Sequence, residues 1–256
     1  MSNNTPLPIT GLVPGEVPAS MLVCGDPARA AKTAAFFKNA QLLSERREYH
    51  IYRGHFGQLP VAVCSHGVGA AGAAIAFEEL IAAGARRLIR IGTCGGLRPD
   101  VRDGDLVVAS AAVNSTGYGR QVAPAGYPAV ADWRVTRALA QGAAGAGRSN
   151  HTGIVLTNDH FYGGVETPET PHYPTMIEAN VLAVEMECAA LFLVGSLRGV
   201  QTGAILAVDG NVGQTGESME EYDPHRDVVA EAVSAEIEIA LRALQRLADE
   251  AGTDDG

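Results

Sequence analysis

Residues 59–96 read LPVAVCSHGVGAAGAAIAFEELIAAGARRLIRIGTCGG. The apolar run from Leu59 to Cys64 leads into a turn holding Gly67 and Gly69. Ala70 to Ala83 has helical spacing and stops at Gly84, the residue type best suited to close a helix. Arg87 to Ile91 is a second buried run, closed by Gly92-Thr93-Cys94-Gly95-Gly96. Strand, helix and strand in direct succession form the βαβ unit of a parallel sheet, so this stretch predicts an α/β fold.

The alternation continues on both sides. Residues 1–20 are rich in Pro and Gly and read as an irregular arm. Met21 to Cys24 is a short strand running into Gly25-Asp26-Pro27. Ala28 to Phe37 follows as a helix, with Pro27 near its first turn, where a missing N–H costs nothing. Glu48 to Phe56 pairs with Leu59 to Cys64 as a hairpin around Gly57. Downstream, strands are expected over Asp105–Ala109, His151–Thr157 and Ala204–Val208. Helices are expected over Trp133–Gln141, Met186–Arg198 and Asp227–Asp249. Residues 114–128, 158–175 and 210–222 read as loops, and long aperiodic loops are often functional. No linker divides the chain. The expected organisation is an arm (1–20), one catalytic domain (21–249) and a frayed tail (250–256).

At 46% hydrophobic and 19% charged residues, the composition is that of an ordinary globular protein able to build its own core. The formal net charge of −10, with no lysine-rich block, disfavours nucleic acid, whose binding rests on phosphate contacts. A few local arginines can still hold a small anion. No apolar run approaches a membrane span. The cysteines, Cys24, Cys64, Cys94 and Cys188, form no C-x-x-C pair and read as buried thiols of a reduced, cytoplasmic protein without a signal peptide.

Gly67-Val68-Gly69-Ala70-Ala71-Gly72 matches G-x-G-x-x-G between a strand and a helix, the setting of a dinucleotide fingerprint. That fingerprint expects an acidic residue at the end of the next strand to hold a ribose, and the strand here ends near Arg90. The loop then reads either as close helix–sheet packing or as part of a site for another phosphate or sugar.

Arg29 lies in the first turns of a helix after Gly25, where backbone N–H groups favour anions. Arg90 sits near the carboxyl end of a strand, with Thr93 just beyond, where ligands of α/β sheets gather. Flanked by Leu88, Ile89 and Ile91, Arg90 needs either an internal carboxylate or an anionic ligand. Arg46 and Arg47 precede a strand and read as solvated on their own. Val184-Glu185-Met186-Glu187-Cys188 sets two acids at a helix start, either as caps or as acceptors for a vicinal diol such as that of ribose. Asp209 ends an apolar strand, as a loop cap or a site acid.

Together these segments resemble the nucleoside phosphorylase family, in the branch holding bacterial uridine and purine nucleoside phosphorylases. The matching segments are Gly25-Asp26-Pro27-Ala28-Arg29, Arg47-Glu48-Tyr49, Arg90-Ile91-Gly92-Thr93-Cys94-Gly95, Phe161-Tyr162, Val184-Glu185-Met186-Glu187 and Val208-Asp209-Gly210, with Tyr127 to Asp132 as a further likeness. From Val184 to Gly210 the sequence is similar to the malarial purine enzymes. The resemblance implies a three-layer αβα sandwich with a mixed central sheet. It implies phosphate contacts at Gly25, Arg29, Arg90 and Thr93, and at Arg47 lent by a neighbouring subunit. It implies ribose contacts at Met186, Glu187 and Thr93, and base contacts at Phe161, Val184, Glu185, Gly95 and Asp209. Asp209 would protonate the departing purine, and Arg90 would act with it in catalysis by holding the phosphate. No metal or cofactor is implied; inorganic phosphate is the co-substrate. The partners implied are a nucleoside and further copies of the chain, in a hexamer built from dimers.

Specificity rests on departures from the family. Uridine phosphorylases follow Phe-Tyr with Pro-Gly-Gln-x-Arg, whose Gln and Arg grip uracil. Here Val165 and Thr167 stand in those places, and a site without its polar partners discriminates poorly. Purine nucleosides are the expected substrates, with uridine the alternative. The histidine that the family sends to the ribose 5′-hydroxyl is missing from the region of Leu7, Pro8 and Ile9, so a 5′-methylthio purine nucleoside is a further alternative.

Overall fold

The computed structural model describes residues 5–213, 223 and 226–254. Its strands are β1 (Ser20–Cys24), β2 (Lys38–Arg46), β3 (Tyr49–Phe56), β4 (Leu59–Ser65), β5 (Arg87–Gly96), β6 (Leu106–Ser115), β7 (Ala129–Val130), β8 (Asn150–Asn158), β9 (Ala183–Glu185) and β10 (Gln201–Asn211). Its helices are α1 (Pro27–Ala34), α2 (Ala70–Ala83), α3 (Gly117–Val122), α4 (Trp133–Ala144), α5 (Tyr173–Glu178), α6 (Cys188–Arg198) and α7 (Asp227–Asp254).

The strands form one mixed sheet in the order β10-β6-β8-β9-β5-β1-β4-β3-β2, with β7 on β6. Strand β10 also pairs with β5, in parallel, so that β5, β9, β8, β6 and β10 close into a ring. Closure removes the open edge on that side. Helices cover both faces, as the family resemblance implied. Alternate residues of β5 show why: Leu88 and Cys94 join the core cluster that holds α2 and α6, whereas Ile89 and Ile91 join the one that holds α1, α4 and α7. Both faces of β5 are therefore apolar, as a doubly covered strand requires.

The quoted stretch folds as read, with α2 spanning Ala70–Ala83 and closing on Gly84 at φ 130°. Other boundaries differ. Helix α1 ends at Ala34, and Lys38–Arg46 form β2, a strand the sequence reading did not contain. Strand β2 is largely exposed and carries Lys38, Glu45 and Arg46, so it shows no alternation; charge of this kind blunts a sheet edge. Just before the expected start of the helix at Met186, Ala183–Glu185 form strand β9. Helix α4 passes through Gly142, expected as a stop, and α7 continues to Asp254, beyond the expected start of a frayed tail. The 114–128 and 158–175 segments contain α3 and the start of α5. Most of the expected 210–222 loop lies outside the described residues. The arm is irregular but packed: Leu12 and Val17 are buried, and the Thr10 hydroxyl donates to Glu79 at 2.6 Å.

Candidate active site

The carboxyl ends of β1, β4, β5 and β10 meet at a cavity of about 760 Å³. Gly25, Arg29, Arg90, Thr93, Gly95, Phe161, Val184, Glu185, Met186, Glu187 and Asp209 all line it. Residues separated by most of the chain thus converge on one place. Arg47 alone of the expected site residues does not: it is exposed in the turn between β2 and β3, with φ 55°.

At one wall, Asp26 caps α1 by accepting from the Ala28 N–H at 2.8 Å, which orients the helix start toward the cavity. Arg29 is half-buried there and forms no ion pair among the described residues. Arg90 is buried and paired. Its guanidinium meets Glu187 Oε2 at 2.5 Å and donates from Nε to Glu185 Oε2 at 3.3 Å. Burial alone would lower the Arg90 pKa, but the two carboxylates more than offset that and raise it. Its position depends on Gly92, where a Cβ would sit 2.9 Å from the Arg90 guanidinium carbon.

The two acids divide the roles that the sequence left open. Glu185 acts as the cap. Its oxygens accept from the backbone N–H of Glu187 at 2.8 Å, from that of Cys188 at 2.9 Å and from the Thr157 hydroxyl at 2.6 Å. It borders the cavity with its carboxylate fully engaged by the protein. Glu187, at the N-cap position of α6, makes no capping bond with its side chain. It turns instead toward the cavity, where Oε1 accepts from the Gly69 N–H at 2.6 Å. The glycine motif therefore supplies a backbone amide to a carboxylate of this cavity. Gly67 and Gly69 adopt φ 73° and 98°, and the turn they make aims an amide at Glu187.

Asp209 owes its aim to a β-bulge. Val208 pairs with Cys94 and Gly210 with Gly95, leaving Asp209 as the extra residue of β10. Bulges of this kind redirect a side chain at the end of a strand. Its carboxyl group is buried and lines the cavity.

His66 was missed by the sequence reading. It follows β4 at the same carboxyl ends, so the placement rule that singled out Arg90 applied equally to it. Its Nδ1 lies 2.9 Å from the Gly67 carbonyl and Nε2 lies 3.5 Å from Arg90 Nη1. A neutral ring that donates from Nδ1 and accepts at Nε2 satisfies both contacts. Burial, helped by Arg90, pushes its pKa down to about 3. Asn158, His160 and Tyr173 also line the cavity and were not singled out.

Comparison with known proteins identifies the family of the chain. The model of the phosphorylase superfamily matches residues 20–245. A uridine phosphorylase of Treponema pallidum is 38% identical over 84% of this chain and 86% of its own. A purine nucleoside phosphorylase of Plasmodium vivax is 37% identical over 89% and 91%. The solved purine nucleoside phosphorylase of Toxoplasma gondii, in complex with immucillin-H, superposes with a TM-score of 0.89 at 33% identity, covering 98% of this chain and 99% of that one. The chain belongs to the phosphorylase superfamily and has the fold of its nucleoside phosphorylases.

Proposed function

We propose that the protein cleaves purine ribonucleosides and deoxyribonucleosides with inorganic phosphate, releasing the free base and the pentose 1-phosphate. The observation that carries this reading is the shared cavity wall of Arg29 and Arg90, with Glu187 beside Arg90 and an apolar stretch beyond. In this arrangement phosphate lies against Gly25, Arg29, Arg90 and Thr93. The ribose lies over Met186, with its hydroxyls on Glu187 and Thr93. The base lies among Phe161, Val184 and Gly95, with Asp209 facing its imidazole side. Stretching the glycosidic bond places positive charge on the sugar; phosphate stabilises that charge and attacks C1′. A proton from Asp209 eases departure of the purine. The Glu185 carboxylate, already engaged, holds Arg90 rather than the base.

The purine preference is supported by Val165 and Thr167. Both are exposed and neither lines the cavity, so the polar grip on uracil has no counterpart there. A uridine reading draws support from the Treponema relative and from Asn158 and His160, polar groups suited to a pyrimidine's carbonyls. The test is a panel of inosine, guanosine, adenosine and uridine in phosphate buffer and in phosphate-free buffer. Purine release that needs phosphate is expected. Equal turnover without phosphate defeats phosphorolysis, and faster use of uridine overturns the purine assignment.

A further inference from the structure

Glu236 lies on the core face of α7, one turn from Ala232, Val233 and Ala240, which pack in the layer between that helix and the sheet. It is fully buried, and among the described residues neither carboxyl oxygen has a partner at hydrogen-bonding distance. An apolar residue would serve the packing at that position, and an unpartnered buried carboxyl is costly. Its surroundings are specific. The backbone amides of Gly92 on β5 and Ala207 on β10 favour its ionised form, as do the charges of Arg29 on α1 and Arg90 on β5. Cys24 on β1 and Cys94 on β5 feel its charge in turn. Glu236 therefore sits in the helix layer against β5 and β10, close enough to Arg90 on β5 and Arg29 on α1 to feel their charges.

Charge balance makes this position consequential. Against Arg29 and Arg90 the cavity wall sets Asp26, Glu185 and Glu187, with the acid Asp209 beyond. A phosphate dianion must enter a site whose own carboxylates outnumber its arginines, and one more negative charge close by opposes it. We propose that Glu236 is a positioning residue for phosphate, held uncharged so that Arg29 and Arg90 remain available to the dianion, and that its ionisation weakens phosphate binding. This rests on phosphate lying between those arginines as proposed above.

Burial pushes the Glu236 pKa up to about 8, despite the opposing pull of Arg29 and Arg90. The group is therefore mostly protonated at neutral pH and loses its proton in mildly alkaline solution. The two thiols that feel its charge do not titrate there. Cys24 is pushed up to about 12 and Cys94 well above its usual range, both by burial. His66 stays neutral and Arg90 stays charged.

The experiment measures the dissociation constant of inorganic phosphate for the full-length protein by calorimetry from about pH 7 to about pH 9.5, spanning the titration of a raised carboxyl. Wild type is compared with Glu236→Gln, which mimics the protonated acid. The ionisation of phosphate itself is common to both, so the ratio of their constants isolates Glu236. The ratio should stay near one at the acid end and reach about tenfold at the alkaline end, within the usual range of site coupling. A ratio independent of pH overturns the proposal. If the variant does not fold, the wild type still decides. Binding and protonation are reciprocal, so phosphate must draw protons from the buffer near pH 8.5. Absence of uptake across buffers of different ionisation enthalpy refutes the coupling. Arg29→Ala separates the two readings: lost phosphate affinity with no Glu236 effect defeats this inference alone, whereas unchanged affinity removes the underlying placement of phosphate.

Discussion

Asp209 is the residue on which the proposed chemistry turns, because a purine leaves as a poor anion unless it is protonated. Asp209→Asn keeps the size and removes the acid, and should cost roughly 10²-fold or more in kcat for 6-oxopurine nucleosides. A substrate whose base departs readily without a proton should lose far less; equal losses on both would mean that Asp209 merely shapes its bulge. The 5′ end of the sugar is a second residue-scale matter. The family resemblance implies a histidine sent across the subunit boundary to the 5′-hydroxyl, and Leu7, Pro8 and Ile9 in that region carry no polar side chain. A site without a 5′-hydroxyl partner discriminates weakly, so 5′-deoxyinosine should be used within about tenfold of inosine in kcat/KM. A preference for inosine beyond about 10³-fold would reveal a polar partner, for which His160 in the cavity wall is the candidate. Glu236 carries a stability consequence apart from phosphate. Its folded pKa is raised by burial, so the native state holds a proton that the unfolded chain has already released. Stability on this account is full below the ordinary carboxylate range and falls as pH rises through about 8. Glu236→Gln should therefore melt higher than wild type at pH 9 and nearly level with it at pH 5, by about 2–4 °C for each kcal/mol recovered. A gain equal at both pH values would assign the effect to packing instead.

Strand β5 does more for the site than any other element. It carries Arg90, Thr93 and Gly95, pairs with β1, β9 and β10, and lets the Arg90 guanidinium lie over Gly92. A methyl group at Gly92 would crowd that guanidinium rather than the backbone, so Gly92→Ala should spare the fold and displace the arginine. The expected outcome is a KM for phosphate raised about tenfold, equivalent to about 1.4 kcal/mol, with the nucleoside KM changed much less. A comparable rise in both would place Arg90 away from the phosphate. Elements such as β5 and α2 were legible in the sequence because both faces of β5 and the inner face of α2 are apolar and buried, and each is bounded by glycine. Strand β2 was not, because an exposed, charged edge leaves no alternation to read. The site was legible for the same reason in reverse: Arg90, Glu187 and Asp209 are charged residues inside apolar runs. Pairing was invisible. No local pattern shows that the Gly69 amide holds Glu187, or that the Glu185 carboxylate is taken up by Arg90, Thr157 and the start of α6. His66 escaped because an isolated histidine beside a glycine turn carries no periodic signal.

At the scale of the whole molecule, the phosphate site proposed above holds Arg29 and Arg90 of one chain without its Arg47. Arg29 and Arg90 face several carboxylates across the cavity, and Arg47 stands outside it on an exposed turn. That turn follows β2, where Leu42 is 49% exposed, a large apolar side chain on the edge strand of the sheet. Placement of Arg47 in a neighbour's cavity would correct the charge balance and cover that edge, and a two-fold dimer exchanges such residues reciprocally. Mixed oligomers distinguish this arrangement from a solvated Arg47. The Arg47→Ala subunit keeps its own Glu187, and the Glu187→Ala subunit keeps its own Arg47; each alone should have little activity. In a dimer of one with the other, the cavity of the Arg47→Ala subunit regains an arginine from its partner, and the second cavity lacks both groups. Random mixing in equal amounts should therefore restore full sites in about a quarter of the cavities. If Arg47 works within its own chain, mixing restores none, because no subunit then carries both residues. Tagging one variant and isolating the mixed species establishes that exchange has occurred. Recovery in that species identifies a shared site, its absence there refutes one, and full activity of Arg47→Ala alone would assign Arg47 to solvent.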